Sequence, residues 1–250
     1  MNILVCMKTV PATTEVAVDG QFRLKRDGVK LQWNIADEAA LEAALDLGGT
    51  VTVLTMGPGK LEEPLKELLA RGADEAVLLT DPQMAGADTL ATARALSAAI
   101  KKLGDFDLIL CGRRAIDGET GQVPGMLAAM LDVPCISCAE SLEMDDMLEI
   151  TRRLENGTQT LQTNLPAVVS VCEYTYTLRL PGIMSMRRAK TKTVKKLSAA
   201  DIGLNPDQCG LKGSATKVVA MDAKFPGLRK GPKETDIDAF VRGFRKEAGL

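Results

Sequence analysis

Apolar residues in this chain come in short blocks separated by stretches of a longer period. Ile3-Leu-Val-Cys-Met7, Val51-Thr-Val-Leu-Thr-Met56, Ala76-Val-Leu-Leu79 and Asp107-Leu-Ile-Leu-Cys111 are brief, mostly apolar runs of the kind that fill strands buried on both faces. Between them the spacing is helical. Ala40, Leu41, Ala44 and Leu45 form one stripe behind a candidate N-cap at Asn34, with Asp37 and Glu38 suited to the positive helix start. A second helix is predicted from about Leu61 to Ala70. A third opens on Asp88 and buries Ala91, Ala95, Leu96 and Ala99, and a fourth covers Met126 to Leu131. Strand and helix in alternation predict a doubly wound α/β fold around a parallel sheet.

The rhythm changes after Pro134. Leu142 to Leu154 and Thr158 to Gln162 read as two strands joined at Asn156-Gly157, a dipeptide suited to a tight hairpin turn, and a buried strand follows at Ala167 to Cys172. Alternation at Gln21 to Arg26, closed by Asp27-Gly28, predicts a small hairpin or an irregular loop. Leu180-Pro-Gly-Ile-Met184 reads as an exposed apolar loop stiffened by Pro181. Met186 to Lys196 then carries six basic residues and no acid, which is either a solvated face or a partner-binding surface. Patterning is weak from Leu197 to Lys233, and the chain closes on a helix at Asp236 to Ala248 with Ile237, Phe240, Val241 and Phe244 on one stripe. The predicted organisation is an α/β domain over residues 1–182 with an added β-hairpin, and an extended C-terminal arm and helix over 183–250.

Candidate chemistry concentrates where predicted strands meet predicted helices. Gly112-Arg-Arg-Ala-Ile-Asp-Gly-Glu-Thr-Gly-Gln-Val123 joins an apolar strand to a helix start, where backbone N–H groups lack intrahelical partners and an anion can satisfy them. Gly118 and Gly121 permit close approach or positive φ, while Thr120 and Gln122 offer a hydroxyl and an amide. Asp117 and Glu119 suit helix capping or ribose hydroxyls better than phosphate. An ordinary strand-to-helix loop has the same spelling, but three further loops end on the same edge of the predicted sheet: Met7-Lys8, Met56-Gly57 and Asp88-Thr89. That is the crevice of a doubly wound nucleotide-binding domain. Thr89 and Thr92, one turn apart, fit a second phosphate contact or simple capping.

Composition removes several alternatives. With 46% hydrophobic and 26% charged residues the chain can bury a substantial core, while a net charge of −2 and 3% aromatics argue against a nucleic-acid partner. The chain starts directly on a strand pattern without a basic leader, and no apolar run approaches a membrane span, so a soluble cytoplasmic protein is expected. Six cysteines lie mostly in apolar patterns and imply no disulfide framework. Cys135-Ile-Ser-Cys138 has redox or half-metal-site spacing, but it lacks a second pair, and a structural role and no metal site are expected. Histidine is absent, which removes the commonest general base and the Ser/His and Cys/His nucleophile pairs. No catalytic side chain is expected.

These residues resemble the small (beta) subunit of electron-transfer flavoproteins over essentially the whole chain. The resemblance is carried by Cys6-Met-Lys-Thr-Val-Pro11, Asn34-Ile-Ala-Asp-Glu38, Thr52-Val-Leu-Thr-Met-Gly-Pro58, Asp88-Thr-Leu-Ala-Thr92, Asp117-Gly-Glu-Thr-Gly-Gln-Val123, and Arg152 through to Pro166-Ala-Val-Val-Ser170. It implies an adenine nucleotide alpha hydrolase-like fold, and an electron carrier rather than an enzyme in its own right. The implied partners are an alpha subunit carrying FAD and a flavin-dependent dehydrogenase such as an acyl-CoA dehydrogenase. In this subunit it implies AMP, or a second FAD where the complex bifurcates electrons. The implied nucleotide contacts are Met7, Lys8, Asn34, Asp37, Gly57, Asp88, Thr89, Thr92, Asp117, Gly118, Thr120, Gly121, Gln122 and Val123. Leu180, Pro181, Gly182, Ile183 and Met184 are similar to the family's recognition loop for the dehydrogenase. Asn156 and Pro124 depart from the usual spelling, and Ala12-Thr13-Thr14 supplies no aromatic residue to stack on a flavin. A stand-alone sensor resembling universal stress proteins would instead show a Gly-x-x-Gly pair, and an adenylyl-transfer enzyme a Ser-Gly-Gly-x-Asp-Ser loop.

Overall fold

The structure is a computed structural model that describes residues 1–12, 30–219 and 235–249. The hairpin expected at Gln21 to Arg26, the Asp27-Gly28 turn and Thr13-Thr14 lie outside the described residues. In chain order the elements are β1 (Asn2–Cys6), β2 (Thr9–Pro11), β3 (Leu31–Trp33), α1 (Ile35–Leu47), β4 (Thr50–Met56), α2 (Glu62–Arg71), β5 (Glu75–Leu79), α3 (Thr89–Leu103) and β6 (Leu108–Gly112). They continue with α4 (Val123–Leu131), β7 (Cys135–Met144), β8 (Leu148–Leu154), β9 (Gly157–Thr163), β10 (Ala167–Val171), α5 (Ile183–Thr191), β11 (Lys195–Leu197), α6 (Gly210–Gly213) and α7 (Ile237–Ala248).

Nine strands make one sheet in the order β11-β5-β4-β1-β6-β10-β7-β8-β9. From β11 to β7 every neighbouring pair is parallel, and only β8 and β9 are added antiparallel at one edge. The parallel strands are apolar on both faces because helices cover both. Ile3, Val5, Val53 and Leu110 pack towards α1 and α2, while Leu4, Leu54, Val77 and Ile109 pack towards α3 and α4. Each Leu or Val side chain fully buried this way stabilises the fold by about 1.5–3 kcal/mol. Helix α1 buries Ala36, Ala39, Ala40, Ala43 and Ala44, and these small side chains let its axis approach the sheet closely.

Three expectations need correction. The predicted strand Leu142 to Leu154 is two strands, β7 and β8, folded back at Asp145-Asp146, where consecutive acids favour a turn over a ladder. The segment after Gly182 does not all belong to an arm: β11 pairs in parallel with β5, Leu197 opposite Leu79, and one compact unit runs from Met1 to Lys217. Ile183 and Met184 form the first turn of α5 rather than a loop, with Gly182 as its N-cap residue. Two further strands, β2 and β3, form a separate antiparallel ribbon, so the chain runs on past β1 through Pro11 in extended form.

The second unit, Val218 to Leu250, is described on its own. The Asp236 carboxylate caps α7 by accepting from the Asp238 N–H, and Phe240 and Phe244 stack with ring centroids 6.5 Å apart. The stripe expected from the sequence is present, and Ile237, Phe240, Val241 and Phe244 are all exposed. Among the described residues, no helix is long and apolar enough to cross a membrane.

Candidate functional site

Strand β1 takes β4 on one side and β6 on the other, so the strand order reverses beside it, the point at which doubly wound sheets place a ligand crevice beyond the carboxyl ends of the strands. Two buried side chains at the start of α1 hold the walls of that crevice together. The Asp37 carboxylate accepts from the Lys8 N–H at 2.8 Å and from the Gly112 N–H at 3.0 Å, joining the ends of β1 and β6. Asn34 is fully buried. Its Nδ2 donates to the Arg114 carbonyl at 2.9 Å, and its Oδ1 accepts from the Ile116 N–H at 3.2 Å.

Both residues behave differently from the sequence expectation. Asn34 sits at the N-cap position of α1, but its side chain makes no capping hydrogen bond because it is spent on the loop after β6. Asp37 is a buried bracket instead of a surface residue that complements a helix dipole. Burial pushes its pKa up to about 7 from 3.8, against the opposing pull of hydrogen bonds from Asn34 and from the Lys8 and Gly112 N–H groups.

The loop from β6 to α4 then rises into solvent. The Glu119 N–H returns to the Ala115 carbonyl at 2.8 Å, and Glu119 and Gly121 adopt positive φ of 52° and 63°. Gly118, Thr120, Gly121 and Gln122 are exposed. Among the described residues, no protein group accepts from the N–H groups of Thr120, Gly121 or Gln122, which lead into the first turn of α4. Lys8 Nζ reaches the Asp117 carboxylate at 2.6 Å, tying the end of β1 to this loop. The start of α3 meets the start of α4 directly, through a hydrogen bond from Thr89 Oγ1 to Gln122 Oε1 of 2.7 Å. Two helix N-termini, each with a partial positive charge, therefore converge on one rim.

The expected contacts thus divide by what is free to meet a ligand. Thr89, Gly118, Thr120, Gly121 and Gln122 line the rim, and Lys8 and Asp117 sit beside it. Asn34 and Asp37 support it from beneath. The Met7 side chain is in the core, and its N–H is held by the Leu54 carbonyl, while the Gly57 N–H is held by that of Leu79. Asp88 caps α3 by accepting from the Ala91 N–H, and the Thr92 N–H follows on the Asp88 carbonyl. Val123 is half-buried against the core on the α3 side.

Several residues around the rim had no role assigned from the sequence. Arg113 pairs with Glu173 through Nε at 3.1 Å, and the Arg114 guanidinium lies 3.5 Å from the same carboxylate and 3.7 Å from Glu119. The Glu173 carboxyl is held below its ordinary range, chiefly by its hydrogen bond with Arg113. Ser214 and Thr216 reach Asp88 from a weakly patterned stretch 126 and 128 residues later in the chain. At the apolar turn, Leu180 is 84% exposed, with Ile183 and Met184 also exposed. Its base is clamped by Arg179, which meets the buried carboxylate of Glu42 at 2.9 Å and Asp46 at 2.7 Å. All six cysteines are free thiols. Cys6 and Cys111 are buried, and Cys135 and Cys138 lie on β7.

Fold and rim together define a class: a doubly wound α/β domain with an exposed loop rim at the strand switch point. The chain belongs to the electron-transfer flavoprotein family, as a beta subunit. The family profile for the electron transfer flavoprotein domain matches residues 21–202. The chain is similar to the electron transfer flavoprotein subunit beta of Thermoanaerobacterium thermosaccharolyticum, at 44% identity over 88% of this chain and 87% of that protein. It is likewise similar to the caffeyl-CoA reductase-Etf complex subunit CarD of Acetobacterium woodii, at 40% identity over 87% of this chain and 86% of that protein. Protein FixA of Rhizobium meliloti is 40% identical over 99% of this chain and 89% of its own length.

Proposed function

We propose that this beta subunit pairs with a flavin-bearing alpha subunit and relays electrons from a flavin-dependent dehydrogenase, with an adenine nucleotide lying across the rim described above. The observation that carries the reading is the meeting of the α3 and α4 N-termini at Thr89 and Gln122, above N–H groups that no described protein group accepts from. A phosphate there receives main-chain hydrogen bonds and both helix dipoles, with Lys8 close by. Lys8, Asp88, Thr89, Thr92, Asp117, Gly118, Thr120, Gly121, Gln122 and Val123 form or border its surface, Asn34 and Asp37 fix the loops, and Met7 and Gly57 delimit the strand ends. The nucleotide is AMP, or the adenylate half of a second FAD. Flavin supplies the redox chemistry when bound, and the residues of this chain bind and orient. The cell location we assign is cytoplasmic.

Purified complex, denatured and chromatographed, should release either AMP with one FAD or two FAD per heterodimer. A complex that accepts electrons yet releases no adenine nucleotide beyond the alpha-subunit flavin would sink the rim assignment. The second surface is the apolar turn. Leu180, Pro181, Gly182, Ile183 and Met184 present an exposed apolar tip on a base fixed by Arg179 and Glu42, which suits an anchor entering a partner's pocket. Leu180→Ala is expected to slow electron exchange with the dehydrogenase by about tenfold, in line with losing an anchor of roughly 1–2 kcal/mol, while the nucleotide content stays as in the parent. Loss of nucleotide together with the rate would show that the turn serves the rim instead. We further assign α7 and the arm before it to docking on the alpha subunit, on the strength of its exposed Ile237, Phe240, Val241 and Phe244 stripe.

A further inference from the structure

Asp88 presents a problem for any anion at the start of α3. Its carboxylate stands at the N-cap, where a phosphate monoester of about −1.5 to −2 charges would also be drawn, and two anions there repel. The protein answers this with donors from elsewhere in the chain. Asp88 Oδ1 accepts from the Ala91 N–H at 2.9 Å, while Oδ2 accepts from the Thr216 N–H at 2.8 Å and the Thr216 hydroxyl at 2.9 Å. The Asp88 N–H in turn donates to Ser214 Oγ at 2.9 Å, and that hydroxyl donates to the Gly210 carbonyl at 2.7 Å.

The segment that brings these donors is fixed without help from Asp88. Gly210 has a φ of 51° and lies so near the main chain of Gln83 and Ala85 that an added Cβ would stand 2.2 Å and 2.6 Å from their carbonyl oxygens. The Leu211 N–H bonds to the Ala85 carbonyl at 3.1 Å, and Arg94 Nη1 reaches the carbonyls of Gln208 and Gly213 at 3.2 Å each. Cys209 is buried against the core on the α3 side. The donors are therefore already in place before any ligand arrives.

We propose that Thr216, placed by Ser214, is a positioning residue of the nucleotide site: it takes up the charge of Asp88 so that a phosphate can share the start of α3. The inference rests on the rim reading above and adds to it a residue lying outside every motif that reading uses. Burial alone would raise the Asp88 pKa, but the hydrogen bonds from Ala91, Thr216 and Ala215 outweigh it and leave the carboxyl below its ordinary value. The side chain is thus an anion whose lone pairs are already occupied, which weakens its field at the rim.

The test compares two probes of the full-length chain by calorimetric titration: AMP, which carries the phosphate, and adenosine, which does not. Thr216→Val keeps the shape and removes the hydroxyl donor. It is expected to weaken AMP about tenfold, the lower end of what one hydrogen bond to a charged group is worth, and adenosine by less than about twofold. Thr216→Ser is expected to restore AMP binding. In an Asp88→Asn background, Thr216→Val is expected to cost AMP less than about twofold, because the charge to be screened is gone. An equal loss of both probes, or no loss of either, overturns the proposal while leaving the rim reading standing. Parent protein that binds neither AMP nor adenosine overturns the rim reading and this proposal together.

Discussion

Gly112→Ala is expected to destabilise the chain by at least about 3 kcal/mol, a large part of the total stability of an ordinary domain, and to leave most of it insoluble on expression. The added Cβ would stand 2.2 Å from Asp37 Oδ1, 2.7 Å from the Asp37 nitrogen and 2.8 Å from the Ala36 carbonyl carbon. Two of those atoms are backbone of the first turn of α1, so no rotamer change relieves the overlap. Either the helix retreats from the sheet or β6 shifts, and both routes break the Asp37 bracket. Gly118, the sixth residue of the following loop, is the internal control. An added Cβ there meets nothing within 4 Å, and Gly118→Ala is expected to change stability by less than about 0.5 kcal/mol. Denaturant titration of the two variants checks both statements, and equal stabilities would show that α1 does not press on β6 as described.

The second large effect concerns pH and Asp37. Because burial raises its pKa to about 7 from 3.8, the folded chain binds a proton that the unfolded chain has released throughout that interval. Stability contributed by this group is therefore full below about pH 4, falls as the pH rises towards 7, and levels off above it, with a span of up to about 4 kcal/mol. Asp37→Asn removes that slope. It also turns an amide NH₂ towards one of the two N–H donors of Lys8 and Gly112, which leaves that donor unpaired at a cost of about 1–3 kcal/mol. The variant should accordingly be less stable than the parent at pH 5, with the gap narrowing by pH 8. Parallel slopes for the two proteins between pH 4 and 7 would mean that Asp37 is ionised in the fold throughout. The geometry also explains why an acid is present at all: two N–H donors facing one side chain require two acceptor oxygens, which Asp supplies and Asn does not.

Gly112 and Asp37 also mark the boundary between what the residue pattern conveys and what it hides. Short apolar runs and helical stripes located the strands and helices around β1, β4, β5 and β6 to within a few residues, because period and burial are local properties of a sheet covered on both faces. The spelling from Gly112 to Val123 likewise marked a loop in which no described protein group accepts from the Thr120, Gly121 and Gln122 N–H groups. Neither signal says which strands become neighbours. Strand β10, five fully buried residues, inserts between β6 and β7, and β11 adds to β5 from the end of the basic run that closes on Lys196. A continuous apolar run fits beside any other, so only the packed sheet decides that order.

The amino-acid order by itself determined a doubly wound α/β chain, an amphipathic last helix, an exposed apolar turn at Leu180 and the likeness to one flavoprotein subunit. Tertiary structure alone decided the roles of polar side chains whose partners are remote in sequence. Asn34 reaches Arg114 and Ile116, Asp37 reaches Gly112, and Asp88 reaches Ser214 and Thr216, across 75 to 128 positions. The physical reason is that a carboxylate or amide carries no mark of its partner. Near a helix start it reads as a cap, and it becomes a bracket or a charge to be screened only when burial removes water and leaves a particular N–H as the nearest donor.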